Sequence, residues 1–271
     1  MSYLSFLLTF ILSANILLFL LLQKRKRGAK YDSPIQWNHR NRRLLFILLF
    51  IIIILYTTPW DSFLIHKGVW NYHRNQVIGI TVYGVPIEEI TFYILQTILI
   101  LQWFTLIQFN IPVLHPQMYS KWKTRLASII IWVFWFGIAI TLCFVLNHRL
   151  SSHLTYLSLL GSWALFPLGI QMLYNAKLLL ANSKLLFWVI LPPTLYLSVC
   201  DSVAIHQGIW YFHQSRILDL TVYGVPIEEI IFFLLTNTLV SWSAILVWPK
   251  EKSIPPRNVK ILTAFSDAPH K

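Results

Sequence analysis

Seven apolar runs, at about 4–22, 44–59, 79–108, 126–146, 154–174, 185–200 and 219–247, each approach or exceed the ~20 residues that a helix needs to cross a bilayer. Composition agrees: 56% of residues are hydrophobic, 12% are charged and the mean hydropathy is +0.61, which is outside the range of soluble domains. The expected fold class is an all-α polytopic membrane protein with about seven transmembrane helices. The first run does not read as a signal peptide, because Lys24-Arg25-Lys26-Arg27 follow it and no small-residue cleavage site is evident.

Charge predicts orientation. The first, third and fifth connections and the C-terminal tail hold 18 of the 22 Lys and Arg residues, so these segments are expected on the cytoplasmic side, with the N-terminus outside and the C-terminus inside the cell membrane. The net charge of +12 then faces anionic lipid headgroups and calls for no nucleic acid. Cys143 and Cys200 fall in or at the end of apolar runs, where neither a disulfide framework nor a zinc site is indicated.

An internal repeat organises the chain at a constant offset of 140 residues. Thr81 through Ile90 recur letter for letter as Thr221 through Ile230, and Asp61, Ser62, Ile65, His66, Gly68, Trp70, His73 and Phe92 recur as Asp201, Ser202, Ile205, His206, Gly208, Trp210, His213 and Phe232. Four membrane crossings separate equivalent points, an even number, so the copies point the same way as a parallel repeat. We expect a first three-span repeat at 1–108, a loop and linking span at 109–150, a second three-span repeat at 151–248 and a cytoplasmic tail at 249–271.

Each copy places an acidic pair, Glu88-Glu89 or Glu228-Glu229, in the outer half of an apolar stretch beginning near Val77 or Ile217. A carboxylate in the membrane costs at least ~2.5 kcal/mol, so such acids mark a functional site. Pro86 and Pro226 should kink these helices or mark their true starts. Consecutive helix positions differ by about 100°, so one acid of each pair is expected to react and the other to support it. Burial favours the uncharged carboxyl, and a neighbouring carboxylate pushes the same way, so at least one Glu of each pair is expected to hold a proton at neutral pH.

A neutral acid in an apolar pocket can protonate an alkene if the cation is stabilised where it forms. Aromatic residues are 15% of the chain, and their electron-rich faces favour cations by roughly 0.5–2 kcal/mol each. Trp70, Tyr83, Phe92 and Tyr93 in the first copy, with Trp210, Tyr223, Phe232 and Phe233 in the second, are the substrate-binding candidates. Interfacial belts of Trp and Tyr are the plainer explanation of any one of them. The matched His66, His73, His206 and His213, with Asp61 and Asp201, read as an outward-side connection that either relays protons or anchors the loop. The seven-residue step from His66 to His73 matches no metal-ligand arrangement, and none is expected.

The duplicated Val-Tyr-Gly-Val-Pro-Ile-Glu-Glu, followed by Phe92-Tyr93 and Phe232-Phe233, resembles the membrane-integral lycopene cyclases of the heterodimeric bacterial and fused archaeal or fungal type. The resemblance covers residues 1 to about 248. It implies cofactor-independent cyclisation of the linear ends of lycopene to β-rings, with Glu88, Glu89, Glu228 and Glu229 as the matching acids. It also implies a lipophilic carotenoid substrate taken from membrane lipid, and admits other carotenoid-synthesis enzymes as partners. No GxGxxG or Walker segment is present, in contrast to flavin-dependent cyclases. A proton-coupled small-solute transporter and a non-enzymatic membrane subunit are the competing readings, since buried acids also mark proton paths.

Overall fold

The computed structural model describes residues 1–28, 39–114, 121–149 and 153–247. The tail expected at 249–271 and part of the first basic connection lie outside them. Helix α1 runs through Tyr3–Phe6, a π-helical stretch Leu7–Leu12, and Ser13–Gly28; α2 runs through His39–Ile52, a π-helical stretch Ile53–Thr57, and Thr58–His66. There follow α3 (Ile87–Gln108), α4 (Lys121–Arg149), α5 (Thr155–Ala181), α6 (Ser183–His206) and α7 (Ile227–Val247). Six of the seven are long and apolar enough to cross a membrane among the described residues. The seventh, α4, is a continuous 29-residue helix with Leu126–Ile138 as its described apolar portion.

Large apolar side chains such as Leu17, Leu20, Leu55, Ile130 and Val199 are exposed on the outside of the bundle. In water such a surface would drive aggregation; against acyl chains it is matched. The buried side chains form two clusters. One surrounds Tyr3, Trp70, Phe92, Tyr156, Trp210 and Phe232, and the other Leu101, Phe104, Leu185, Val189 and Ile245. A polar crosslink joins three helices: Gln96 Nε2 on α3 donates to Thr236 Oγ1 (3.0 Å) and Asn237 Oδ1 (3.1 Å) on α7, and Asn237 Nδ2 donates to Thr194 Oγ1 on α6 (2.9 Å). Such interhelical bonds contribute about 0.6 kcal/mol each on average in a bilayer.

Two expectations from the sequence are corrected at the helix ends. Helices α3 and α7 start at Ile87 and Ile227, ten residues later than expected, because the preceding segments form hairpins, β2–β3 (Thr81–Val82 with Val85–Pro86) and β5–β6 (Thr221–Val222 with Val225–Pro226). Proline supplies no N–H to a preceding turn, so the helix begins directly after it. Conversely, Asp61 and His66 belong to α2, and Asp201 and His206 to α6, so they are helical and not in the connection.

Past these helices, β1 (Trp70–Tyr72) pairs antiparallel with β4 (Trp210–Phe212), matching Trp70 with Phe212, Asn71 with Tyr211 and Tyr72 with Trp210. Each residue faces the copy of its mirror position, so a local two-fold axis passes through the Asn71–Tyr211 pair. The connections that follow α2 and α6 therefore meet at one end of the bundle.

Candidate active site

The turn between β2 and β3 has positive φ at both central residues, Tyr83 (54°) and Gly84 (82°), and the second copy repeats it at Tyr223 (50°) and Gly224 (79°). This is the twist that closes a two-residue hairpin. Tyrosine is strained there, and the Ser62 and Ser202 hydroxyls hold it by donating to the Tyr83 and Tyr223 carbonyls at 2.5 and 2.7 Å. Tyr83 and Tyr223 themselves are 74% and 88% exposed. His66 and His206 lie under the turns, their Nδ1 atoms 2.6 and 2.7 Å from the Ser62 and Ser202 carbonyls. His73 packs on the Tyr211 ring and His213 Nε2 lies 3.4 Å from Asn71 Nδ2, so two of the four histidines sit in the connections and two at the helix ends beneath the hairpin turns.

With Pro86 at the N-cap, the acid pair occupies the first turn of α3, where unpaired N–H groups favour negative charge. The two acids diverge. Glu88 Oε1 turns back and accepts from the Ile78 N–H at 2.6 Å, as Glu228 Oε1 does from Leu218 N–H at 2.7 Å. Glu89 and Glu229 turn inward. Glu89 Oε2 accepts from the Tyr3 hydroxyl at 2.6 Å and the Tyr72 hydroxyl at 2.8 Å, and Glu229 Oε1 accepts from the Tyr156 hydroxyl at 2.5 Å.

Glu89 and Glu229 line one cavity of ≈ 40 Å³, together with Asp201 and a shell of rings that includes Trp70, Phe92, Tyr93, Trp210, Phe232 and Phe233. Among the described residues no Lys or Arg borders it. Asp201 Oδ1 accepts from Trp210 Nε1 at 2.8 Å. Asp61 is fully buried beside Glu89 and Tyr93, its oxygens meeting no donor with hydrogen-bond geometry among the described residues. The Tyr72 phenol, in the connecting layer, is pushed well above its ordinary range by burial and then by the nearby Glu89 and Asp61, so it remains a donor. Among the described residues no group of three or more His, Cys, Asp or Glu side chains is arranged to hold a metal ion.

The repeats interlock at this cavity. Tyr3 meets Trp210 edge-on at 5.0 Å and Tyr156 meets Trp70 edge-on at 5.3 Å, each phenol packing on the other repeat's tryptophan. Tyr3 stacks on Tyr72 at 6.1 Å, and Tyr156 stacks on Phe212 at 6.2 Å. Below, a second cavity of ≈ 100 Å³ runs between Tyr56, Thr97, Trp163, Gln171 and Val240 and shares Tyr93 and Phe232 with the first.

A sequence model described as lycopene cyclase matches residues 2–107 and 153–244, the two repeats without the linking helix. The chain belongs to the lycopene cyclase family. It is 31% identical over 221 residues to a lycopene beta-cyclase of Halobacterium salinarum, covering 81% of this chain and 86% of that protein. It is 33% identical over 208 residues to bifunctional lycopene cyclase/phytoene synthases of Aspergillus oryzae and Podospora anserina, covering 73% and 74% of this chain. The chain spans about a third of the length of these fungal relatives. No solved structure matches it.

Of the candidates read from the sequence, this lycopene cyclase family member brings Glu89, Glu229, Asp201 and six aromatic residues to the cavity and sets Asp61 beside it. Glu88, Glu228, Pro86, Pro226, Tyr83, Tyr223 and the four histidines do not line it. Sequence reasoning missed Tyr3, Tyr72, Tyr156 and Phe212. The Tyr72–Phe212 pair was within reach, since it obeys the 140-residue offset. Tyr3 and Tyr156 are 153 residues apart, because the stretch from Tyr3 to Asp61 is 13 residues longer than that from Tyr156 to Asp201, so no constant-offset comparison pairs them.

Proposed function

We propose that the chain is a lycopene β-cyclase working at a single site built by both repeats. The observation that carries this reading is the meeting of Glu89 and Glu229, one from each repeat, in one ring-lined cavity that no Lys or Arg lines among the described residues. With no Lys or Arg lining the cavity among the described residues, the two buried carboxyls cannot cheaply both be ionised, and the neutral one against an apolar chain end is a proton donor. Protonation of the terminal double bond gives a tertiary cation, the ring closes on it, and loss of a proton yields the β-ring. Trp70, Trp210, Phe92 and Phe232 present faces or edges around the developing charge and keep water from trapping it. No oxidant or reductant is consumed, so the chemistry needs acids, shape and dryness.

The ≈ 40 Å³ of the acidic cavity holds about one water and no ring. A chain end must therefore enlarge it, and the neighbouring ≈ 100 Å³ cavity behind Tyr93 and Phe232 supplies adjoining space within the membrane. With one site, the two ends of lycopene are cyclised in turn. We further infer that the outer layer containing β1 and β4 faces away from the cytoplasm, as the distribution of Lys and Arg predicts, and that carotenoid-synthesis enzymes work alongside. The names of the fungal relatives, which join a cyclase to a phytoene synthase, support the latter.

The test is expression in cells that accumulate lycopene, with pigments separated chromatographically. Formation of γ- and β-carotene is expected; unchanged lycopene with the protein present in the membrane would overturn the reading.

A further inference from the structure

The cavity is close to two-fold symmetric, and its departures from symmetry fall on the acids. The stacked pairs Tyr3–Tyr72 and Tyr156–Phe212 superimpose in kind, yet Tyr72 carries a hydroxyl where Phe212 carries none. Glu89 in consequence accepts two phenols on one oxygen, whereas Glu229 accepts one among the described residues. The next ring along the helix departs in the same sense: Tyr93 lies beside Glu89, and its counterpart is Phe233. The matched aspartates differ too: Asp201, on the cavity wall with Glu229, accepts from Trp210 Nε1, whereas Asp61 beside Glu89 meets no donor with hydrogen-bond geometry among the described residues and is least costly uncharged, so it sets no negative charge against an ionised Glu89.

Hydrogen-bond donors converging on a carboxyl favour its ionised form, and an apolar surround favours the neutral one. The more heavily donated acid suits a proton acceptor and an anion facing a cation; the acid among phenylalanines suits a proton donor touching hydrocarbon. Resting on the reading above, we propose that the repeats divide the proton work: Glu229 delivers the proton, and Glu89, clasped by Tyr3 and Tyr72, removes the one that is lost. Tyr72 is then the positioning residue that makes two copies of one motif inequivalent.

The step balances. The Glu229 O–H proton goes to C2 of the terminal C1–C2 double bond, leaving the cation at C1. The electron pair of the C5–C6 double bond forms the C1–C6 bond and moves the cation to C5. The C6 proton passes to the Glu89 carboxylate, and the C6–H pair becomes the C5–C6 double bond of the β-ring. Glu229 ends ionised and Glu89 protonated, and one proton returned across the cavity they share restores the starting state.

The test uses membranes containing the full chain, incubated with lycopene in D₂O, with recovered carotenoids examined by mass spectrometry and the protein quantified by immunoblot. Glu229→Gln is expected to give no ring and no deuterium in the recovered lycopene. Glu89→Gln is expected to lose β-ring formation by ~100-fold or more while still placing deuterium in lycopene, because a C1 cation that is not carried on to the ring can lose the protium at C2 to the Glu229 carboxylate and keep the deuteron. The opposite assignment of these two outcomes would overturn the proposal, and so would identical behaviour of the two variants. If Glu89→Gln does not accumulate, Tyr72→Phe carries the test: it should raise the ratio of deuterium exchange to ring formation, and an unchanged ratio would overturn the proposal. Failure of the unaltered chain to form rings would instead tell against cyclase activity itself.

Discussion

The Tyr156 hydroxyl donates to Glu229 Oε1 at 2.5 Å while its ring packs edge-on against Trp70 of the other repeat at 5.3 Å. One side chain thus fixes an acid of its own repeat from a seat provided by its partner repeat. Removing the hydroxyl leaves a buried carboxyl oxygen without its donor, a loss of about 1–3 kcal/mol. Tyr156→Phe should therefore slow β-ring formation roughly 10- to 100-fold with the protein level in the membrane maintained, as measured by pigment formation per unit of protein.

Glu88 and Glu228 are expected to matter to stability and little to chemistry, because each accepts from a loop N–H at 2.6 or 2.7 Å outside the cavity. Glu88→Gln keeps an acceptor oxygen and should retain most of the cyclisation. Glu88→Ala orphans the Ile78 N–H and should cost about 1–3 kcal/mol, seen as a lower apparent melting temperature in detergent. Loss of ring formation in Glu88→Gln at undiminished stability would show that this acid also serves the reaction.

The hairpin turns should respond unequally to the same substitution. Gly84 and Gly224 have φ of +82° and +79°, where an L side chain costs roughly 1–2 kcal/mol. A Cβ at position 84 would stand 3.6 Å from His66 Cε1, an ordinary contact, but at position 224 only 3.0 Å from His206 Cε1. Gly224→Ala should lower the apparent melting temperature more than Gly84→Ala does.

Gly169 sets the docking of the linking helix. Any Cβ there would overlap the Trp132 indole, whose Nε1 donates to the Leu165 carbonyl at 2.9 Å. Gly169→Ala should displace α4 from α5 and expose the 121–149 segment to protease in detergent. Pairing it with Trp132→Ala should restore much of the protection.

Much of this architecture was legible because bilayers leave little choice: long apolar runs must be helices, and a letter-for-letter duplication must fold twice. Acid pairs marked the candidate site for the same reason, since Glu88-Glu89 has no cheap place among acyl chains. What pattern could not separate was the two members of a pair. Glu88 and Glu89 are identical in type and adjacent, and only the late start of α3 after Pro86 decides that the first turns to the loop and the second to the interior. The ribbon between Trp70–Tyr72 and Trp210–Phe212 was equally hidden, because three-residue strands pairing 140 positions apart leave no local signal.

Whether both repeats share one site is measured most directly by the pigment profile of the single variants Glu89→Gln and Glu229→Gln in lycopene-accumulating cells. One shared cavity predicts that either substitution alone removes one-ring and two-ring β products together. Abundant γ-carotene from either variant, with one end closed and the other left linear, would mean that each repeat carries its own working site and would contradict it.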